Sequence, residues 1–242
     1  MYKDLGNVFI NDAFGCVHRK HMSIYAIKTF NKIYGYGYLI KKEIEMMNNL
    51  LQTKNKKILC IIGGNKLKDK LPIIDSFRKI NNSTLFIGGG LAKQYVNKTC
   101  NVIKMKDGYG NIKLDFNSND ATYINDINNS ELCAFDIGTQ SLNELYEIID
   151  NNDIIFWNGP LGVIEHNVYK KGSINIINYL LNTKDKIIII GGGETASLID
   201  KEYIIKNNNK NVYISTGGGA LLEYLENKIM NGKNIVGLDI FR

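Results

Sequence analysis

The sequence has no hydrophobic run that approaches the roughly 20 residues of a membrane-spanning helix. Hydrophobic residues make up 44% of its 242 positions, which is ordinary for a globular protein. Nothing at Met1 resembles a signal peptide, so we expect a soluble, cytoplasmic protein without a membrane partner. A chain of this length holds one large domain or two small ones.

Cysteine is also scarce. The four cysteines are scattered, without the paired spacing of a metal site or a disulfide framework, at Cys16, Cys60, Cys100 and Cys133. Reduced, buried thiols in a reducing compartment are therefore expected.

Several common nucleotide fingerprints are missing as well. The chain has no G-x-x-x-x-G-K-[ST] pattern and no G-x-G-x-x-G pattern after a strand. It also lacks the H-R-D set of protein kinases. The usual nucleoside-triphosphate and dinucleotide fingerprints, and that of the protein kinases, therefore do not apply to this chain.

The net charge of +6 is unevenly distributed. Residues 1–57 hold ten of the 30 Lys and Arg and four of the 24 Asp and Glu, which leaves twenty of each in residues 58–242. An anionic partner is therefore expected near the N-terminal segment, with a solvated basic face as the alternative. No nucleic-acid-binding motif accompanies the charge, so no nucleic-acid partner is expected.

Glycine-rich turns are the main positive signal. Residues 187–190 are four isoleucines, and Gly191, Gly192 and Gly193 follow them directly. A continuous apolar run that ends in glycine is typical of a parallel strand buried on both faces, with a turn into a helix behind it. The same pattern recurs at residues 57–64, 84–90, 153–160 and 211–219.

The carboxyl ends of parallel strands share one edge of a sheet, so we expect the five turns to line a single crevice. Backbone N–H groups at a helix start bind anions such as phosphate, and glycines carry no Cβ that would block the approach. An ordinary tight turn between a strand and a helix is the alternative. The pattern predicts an open parallel α/β sheet with a phosphate-binding edge.

Charged residues accompany two of the turns. Lys66 and Lys70 are four apart, so on a helix both ammonium groups would share one face and balance the charge of a transferring phosphoryl group. Solvated lysines are the alternative. Glu194 stands where a Mg²⁺ ion would take one carboxylate plus phosphate oxygens. The alternative is that Glu194 only stabilises its helix, because an acidic side chain in the first turn interacts favourably with the helix dipole.

The N-terminal segment holds a second candidate site. His18 and Arg19 stand side by side after a glycine, and a guanidinium can bind a carboxylate or phosphate through its planar fork. Two adjacent polar residues prove little by themselves. Residues 34–51 carry apolar positions at helical spacing, which predicts a long amphipathic helix.

Together these motifs resemble those of the phosphoglycerate kinase family, in that family's order and over nearly the whole chain. The matching stretches are residues 9–19, 63–70, 86–90, 136–138, 157–165, 191–195 and 215–219. The resemblance implies a three-layer, Rossmann-like open parallel sheet with helices on both faces, preceded by a remnant strand and a long linker helix. It divides the chain into a remnant of the triose-binding domain at 1–33, an interdomain helix at 34–55 and a nucleotide-binding domain at 56–242.

The family transfers a phosphoryl group between 1,3-bisphosphoglycerate and Mg-ADP in glycolysis, giving 3-phosphoglycerate and ATP. By resemblance, the catalytic groups are Lys66, Lys70, Gly192 and Gly193. Glu194 and Asp69 would serve Mg²⁺, while His18 and Arg19 would face the triose. The nucleotide site would comprise Gly63, Gly64, Lys66, Lys70, Gly88, Gly89, Asn158, Gly159, Val163, Glu165, Glu194 and Thr195.

Three departures from the family pattern bear on activity. Most of the family's N-terminal domain, including its catalytic arginine, has no counterpart here. The segment between Gly90 and Asp115 is shorter, and Glu194 replaces the usual Asp. One hypothesis is an enzyme whose missing half comes from a separate chain. The other is a nucleotide-binding module with little or no activity.

Overall fold

The structure is a computed structural model that describes residues 4, 6–29, 33–52, 55–96, 101–200, 202, 210–215 and 217–239, except the side chain of Lys28. Cys100 lies outside this part of the chain. The chain divides into two compact units, which are described separately below. The smaller unit combines residues 1–54 with residues 215–242, and the larger unit spans residues 55–214.

The described elements alternate strand and helix over most of the chain. The strands are β1 (Val8–Asn11), β2 (Ile33–Tyr36), β3 (Ile58–Ile62), β4 (Ser83–Ile87), β5 (Val102–Lys104), β6 (Gly108–Asn111), β7 (Thr122–Ile124), β8 (Cys133–Ile137), β9 (Ile154–Asn158), β10 (Ile187–Gly191) and β11 (Val212–Ser215). The α-helices are α1 (Tyr38–Gln52), α2 (Leu67–Phe77), α3 (Leu91–Gln94), α4 (Thr139–Asp150), α5 (Lys171–Asn182), α6 (Gly193–Ser197) and α7 (Gly218–Asn231).

A six-stranded sheet forms the centre of the larger unit, in the order β11-β10-β9-β3-β4-β5. The pairs β10/β9, β9/β3, β3/β4 and β4/β5 are all parallel. Every residue of β3 and β9 is buried, because both strands are covered on both faces and are apolar apart from Asn158 at the end of β9. The predicted α/β class with an open parallel sheet is confirmed.

A second, antiparallel sheet was not predicted. It has the order β7-β6-β8, and both of its pairs, β6 with β7 and β6 with β8, are antiparallel. Glycine explains the pairing, because a Cβ at Gly110 would lie only 1.8 Å from the Cys133 carbonyl oxygen. Only a residue without a side chain permits β6 and β8 to approach so closely.

Asp107 ties this antiparallel sheet to the start of α4. Its carboxylate accepts hydrogen bonds from the Ser141 amide (2.7 Å), the Gln140 amide (2.9 Å) and the Tyr123 hydroxyl (2.7 Å). Burial alone would raise the pKa of Asp107, but these hydrogen bonds outweigh burial and lower it. Ser141 lies inside α4, which has Gly138 at its N-cap.

The smaller unit contains a two-stranded parallel sheet, β1 with β2, together with α1 and α7. The helix predicted from residue 34 begins only at Tyr38, since Ile33–Tyr36 is a strand. Gly35 and Gly37 disfavour a helix there. Asp12 then fixes the helix start by accepting a hydrogen bond from the Ile40 amide at 2.9 Å.

The compact units differ from the predicted domain ranges at the C-terminal end. Residues 215–242 group with the first 54 residues, whereas the sequence analysis places them with the rest of 56–242. The functions assigned to those ranges stay predictions. In the part of the chain that the structure describes, no helix is both long and apolar enough to cross a membrane.

Candidate active site

Four of the five predicted glycine turns lie at one edge of the six-stranded sheet. They follow β3, β4, β9 and β10, whose ends are level because Ile62 and Gly191 both pair with Asn158, and Ile62 also pairs with Ile87. The fifth turn leads into α7 of the smaller unit and includes residue 216, which is outside the described residues. The larger unit thus brings four turns together.

The turns after β3, β4 and β9 pack directly on one another. A Cβ at Gly63 would lie 2.2 Å from the Pro160 oxygen, and one at Gly159 would lie 2.3 Å from the Gly63 oxygen. Gly89 (φ +61°) is similarly close to Gly64. The amides of Gly63 and Gly64 donate to the carbonyls of Asn158 (3.0 Å) and Pro160 (2.9 Å). Gly63, Gly89 and Gly159 thus serve the packing of the edge, and the amides of Gly63 and Gly64 are already paired.

Gly64 and Gly193 face open space instead, and Gly192 makes only ordinary contact with Asn158. A Cβ at Gly64 or Gly193 would meet no atom within 4 Å. Gly64 (φ +103°) and Gly192 (φ +99°) adopt the left-handed backbone region that favours glycine. The backbone here is bare toward solvent, and it leads into the first turn of α6. An anion could approach these peptide groups closely.

Lys70 projects from α2 to the end of β9. Its Nζ donates a hydrogen bond to Oδ1 of Asn158, which is 2% exposed. Burial lowers the pKa of the Lys70 ammonium, against the opposing charges of Glu194 and Asp69. The Nδ2 donor of Asn158 is buried and has no hydrogen-bond partner in the described structure. It would lie 3.5 Å from a Cβ at Gly192, so a buried donor and a desolvated cation meet at the open turn.

Lys66 is placed differently from the expectation. α2 begins at Leu67, and Lys66 is its N-cap residue with an extended backbone (φ −104°, ψ 92°). The two lysines therefore do not share a helical face, and the Lys66 side chain is exposed. The hydrogen bond to Asn158 places the Lys70 side chain at the glycine turns. Lys66 is near the turn after β3 only because its backbone directly precedes α2.

The predicted metal ligands Glu194 and Asp69 are exposed carboxylates, and both lie close enough to Lys70 to influence its pKa. Among the described residues, no cluster of three or more His, Cys, Asp or Glu could form a metal cage. This donor set fits Mg²⁺, which commonly takes one or two carboxylates and completes its shell with phosphate oxygens and water.

Other contacts fix the turns relative to one another. The buried Thr195 hydroxyl accepts a hydrogen bond from the Gly159 amide at 3.1 Å, which joins the turns after β9 and β10. Gln94 donates to the Asn65 carbonyl at 3.0 Å and to the Gly90 carbonyl at 2.9 Å, which joins the turns after β3 and β4. The sequence analysis missed Asn65 and Gln94, since only the fold brings them together.

Val163 and Glu165 lie on the loop between β9 and α5. Glu165 is exposed, and the Val163 amide donates to the Phe135 carbonyl at 2.8 Å. The buried Asp136 carboxyl holds the loop at its far end, accepting a 2.8 Å hydrogen bond from the Gly172 amide. The sequence analysis included Asp136 in a motif but gave it no role.

Burial raises the pKa of Asp136 to about 8, although the amides of Gly172 and Ile137 and the charge of Lys171 act in the opposite direction. Between the usual pKa of an aspartate and about 8, the folded state therefore holds a proton that the unfolded state has released. The free energy of unfolding should fall as the pH rises through this window. Asp136→Asn removes the titrating group. Between pH 5.5 and pH 8 the free energy of unfolding of the wild type should therefore fall by about 1 kcal/mol or more relative to that of the variant.

Denaturant titrations at the two pH values measure this difference. Asp185→Asn is the matched control, because the Asp185 side chain is 80% exposed and this substitution should leave the pH dependence as it is. If Asp136→Asn and the wild type lose stability in parallel, the assignment of a protonated Asp136 is wrong.

His18 and Arg19 belong to the smaller unit. His18 is half-buried near the start of α7, with Nε2 lying 3.5 Å from a Cβ built at Gly219. Its Nδ1 is buried and has no hydrogen-bond partner within the described ranges. Arg19 is exposed, and its Nε lies 3.5 Å from His18 Nε2. The two side chains are adjacent, and their role toward a triose stays a prediction.

Comparison with known proteins decides the family. The sequence model of phosphoglycerate kinase matches residues 1–108 and 93–228. The chain belongs to the phosphoglycerate kinase family. The predicted resemblance is thereby confirmed.

Curated relatives show the same kinship. The phosphoglycerate kinase of Finegoldia magna is 34% identical over 257 residues, and that of Buchnera aphidicola is 33% identical over 249 residues. Both alignments cover 94% of this chain but only 63% of the relative. The chain thus spans somewhat less than two thirds of the length of these phosphoglycerate kinases.

Two solved phosphoglycerate kinases support the fold. The enzyme from Coxiella burnetii superposes with a TM-score of 0.76 at 24% identity, and the one from Pyrococcus horikoshii OT3 with 0.77 at 21% identity. Each comparison covers 99% of this chain, and 66% and 64% of the respective solved chain. The arrangement of strands and helices is therefore that of the phosphoglycerate kinase family.

Proposed function

We propose that the larger unit binds the polyphosphate of Mg-ADP or Mg-ATP at the glycine edge of its sheet. The observation that carries this proposal is the meeting of three features at the end of β9. Lys70 supplies a partly desolvated cation, Asn158 supplies a buried donor without a partner, and Gly192 and Gly193 supply bare backbone. Each of these groups is suited to a phosphate oxygen.

The reaction that follows from the family is phosphoryl transfer between 1,3-bisphosphoglycerate and ADP, which yields 3-phosphoglycerate and ATP in glycolysis. Catalysis of such transfers rests on positioning and on balancing the charge of the phosphoryl oxygens. In this chain Lys70 would balance that charge, with Lys66 entering from the neighbouring turn and the Gly192 and Gly193 backbone holding the oxygens.

Glu194 and Asp69 would hold Mg²⁺, which would supply positive charge to neutralise part of the charge of the phosphate groups. Gly88, Gly89, Gly159, Val163 and Glu165 would form the adenosine side, and Thr195 would contribute to the phosphate side. The contacts of Asn158 favour the phosphate side for this residue. His18 and Arg19 would face the triose.

A second candidate is a nucleotide-binding module with weak or no turnover. This candidate applies if the chain acts alone, because the matched region corresponds to 63% of the length of the curated relatives. A phosphoryl-transfer site that lacks the residues of one domain no longer positions its substrates well. Loss of an arginine that stabilises the transition state lowers kcat by about 10³-fold or more. A separate chain that supplies the remaining part of the family fold would restore activity. For both candidates we propose a cytoplasmic location.

Calorimetric titration with Mg-ADP tests nucleotide binding, and a coupled assay with 3-phosphoglycerate and ATP tests turnover. We expect saturable binding with a dissociation constant between about 1 μM and 1 mM, and very low turnover by this chain alone. No detectable binding at millimolar Mg-ADP would refute the proposed site. Turnover at the level of a complete phosphoglycerate kinase would refute the module hypothesis.

A further inference from the structure

The segment between β6 and β7, residues 112–121, lies on the surface and buries little of its own apolar area. The side chains of Ile112 and Phe116 are 75% and 62% exposed. Its internal hydrogen bonds are local, from the Asn117 amide to the Asp115 carboxylate and from the Asp120 amide to the Ser118 hydroxyl. These bonds shape the turns of the segment, but they do not attach it to the rest of the unit.

Attachment comes from two side chains of the loop between β9 and α5. His166 Nε2 lies 3.1 Å from the Asp115 carbonyl oxygen and 3.0 Å from the Ser118 carbonyl oxygen. The Tyr169 hydroxyl donates to the Asp120 carbonyl at 3.1 Å. His166 is only 3% exposed, so its two contacts are shielded from competing water.

The surroundings of His166 define its tautomer. The Val168 amide donates to His166 Nδ1 at 3.2 Å, so Nδ1 is an acceptor and the hydrogen of the neutral ring lies on Nε2. That single N–H is shared between the two carbonyl oxygens of the segment. The ring also packs against Tyr169, with 4.6 Å between ring centroids, and against Phe116 at 5.9 Å. Its orientation is therefore fixed from both sides.

The same histidine closes the turn that carries the proposed adenosine contacts. The His166 amide donates to the Val163 carbonyl at 3.1 Å, and Glu165 is its direct neighbour in the sequence. The backbone of His166 thus belongs to the turn 163–166, while its ring holds residues 112–121. A displacement of either element is transmitted to the other through one residue.

We propose that His166 is a positioning residue that ties the surface segment 112–121 to the turn bearing Val163 and Glu165. In this role it holds the adenosine side of the site at a fixed place, without touching the nucleotide. The adenosine part of this inference rests on the proposed function, whereas the tether does not. Nothing in the sequence pattern pointed to His166, because its partners are backbone carbonyls about 50 positions earlier in the chain.

The test compares His166→Phe with His166→Gln. Phenylalanine keeps a ring against Tyr169 but removes both nitrogens, whereas glutamine restores a donor that can reach the two carbonyls. In His166→Phe we expect amide hydrogen exchange in residues 112–121 to become about tenfold faster and Mg-ADP binding about tenfold weaker, the loss expected for one buried hydrogen-bonded contact. His166→Gln should recover most of both losses.

His21→Phe is the matched control, because His21 is exposed in the other unit and its replacement should change neither quantity. The inference would be overturned if His166→Phe had the same exchange rates and Mg-ADP affinity as the wild type. It would also be overturned if His166→Gln and His166→Phe changed both quantities equally. If the wild type does not bind Mg-ADP, the proposed function and the adenosine role of His166 fail together. The exchange rates still show whether His166 holds residues 112–121. Should His166→Phe not fold, Tyr169→Phe must accelerate exchange around Asp120, and unchanged exchange there would contradict the tether.

Discussion

Replacing Lys70 with methionine should weaken Mg-ADP binding by roughly 10- to 100-fold, because a charged hydrogen bond to a phosphate is worth about 1.5–3 kcal/mol. Methionine preserves the apolar stem and removes the ammonium. The fold should survive, since burial already disfavours the charged form of Lys70. Calorimetric titration of the folded variant with Mg-ADP measures the loss.

Lys68→Met is the appropriate control for this prediction. Lys68 lies on the same helix and carries the same charge, but its side chain is exposed. Its loss should change affinity by less than about threefold, the effect of one screened surface charge. Equal losses in the two variants would mean that general positive charge, and not the Lys70 contact with Asn158, attracts the nucleotide.

Gly63→Ala should destabilise the protein by about 3 kcal/mol or more, because the added methyl group overpacks a closed site. The new Cβ would lie 2.2 Å from the Pro160 oxygen and 2.5 Å from the Gly159 oxygen. Both are backbone atoms, so no side chain can rotate away to relieve the contact. Urea denaturation of the variant gives the change in unfolding free energy.

Gly193→Ala provides the contrast. A Cβ at Gly193 would meet no atom within 4 Å, and Gly193 is the first residue of α6, where alanine is favoured over glycine by about 0.5–1 kcal/mol. Stability should therefore be unchanged or slightly higher. If Gly63→Ala proves as stable as Gly193→Ala, the close packing of the turns after β3 and β9 is wrong.

This pair of glycines also shows what the sequence could and could not predict. The apolar run of β3 and the isoleucine run of β10 specify buried parallel strands, so the sheet and the shared edge followed from pattern alone. The pattern could not distinguish Gly63, where close packing requires glycine, from Gly193, which faces open space. That difference depends on which strands become neighbours, and no local sequence rule gives it.

The same limit applies to the polar residues. The pairing of Lys70 with Asn158 joins positions 88 apart in the chain, so no local pattern could predict it. The antiparallel sheet was missed because β6 and β7 are short and lie in a polar stretch without strand periodicity. The start of α1 was predicted too early, since apolar spacing ignored the two glycines before Tyr38.

The central claim is that bare backbone at the Gly192–Gly193 turn receives the phosphates of a nucleotide. Titration of Mg-ADP into the wild type and into Gly193→Ala tests it most directly, because this substitution adds one methyl group to the open turn and leaves the fold intact. The account predicts clear binding by the wild type and at least roughly tenfold weaker binding by an equally stable Gly193→Ala, which corresponds to about 1.4 kcal/mol. Equal affinity of the two proteins would contradict it.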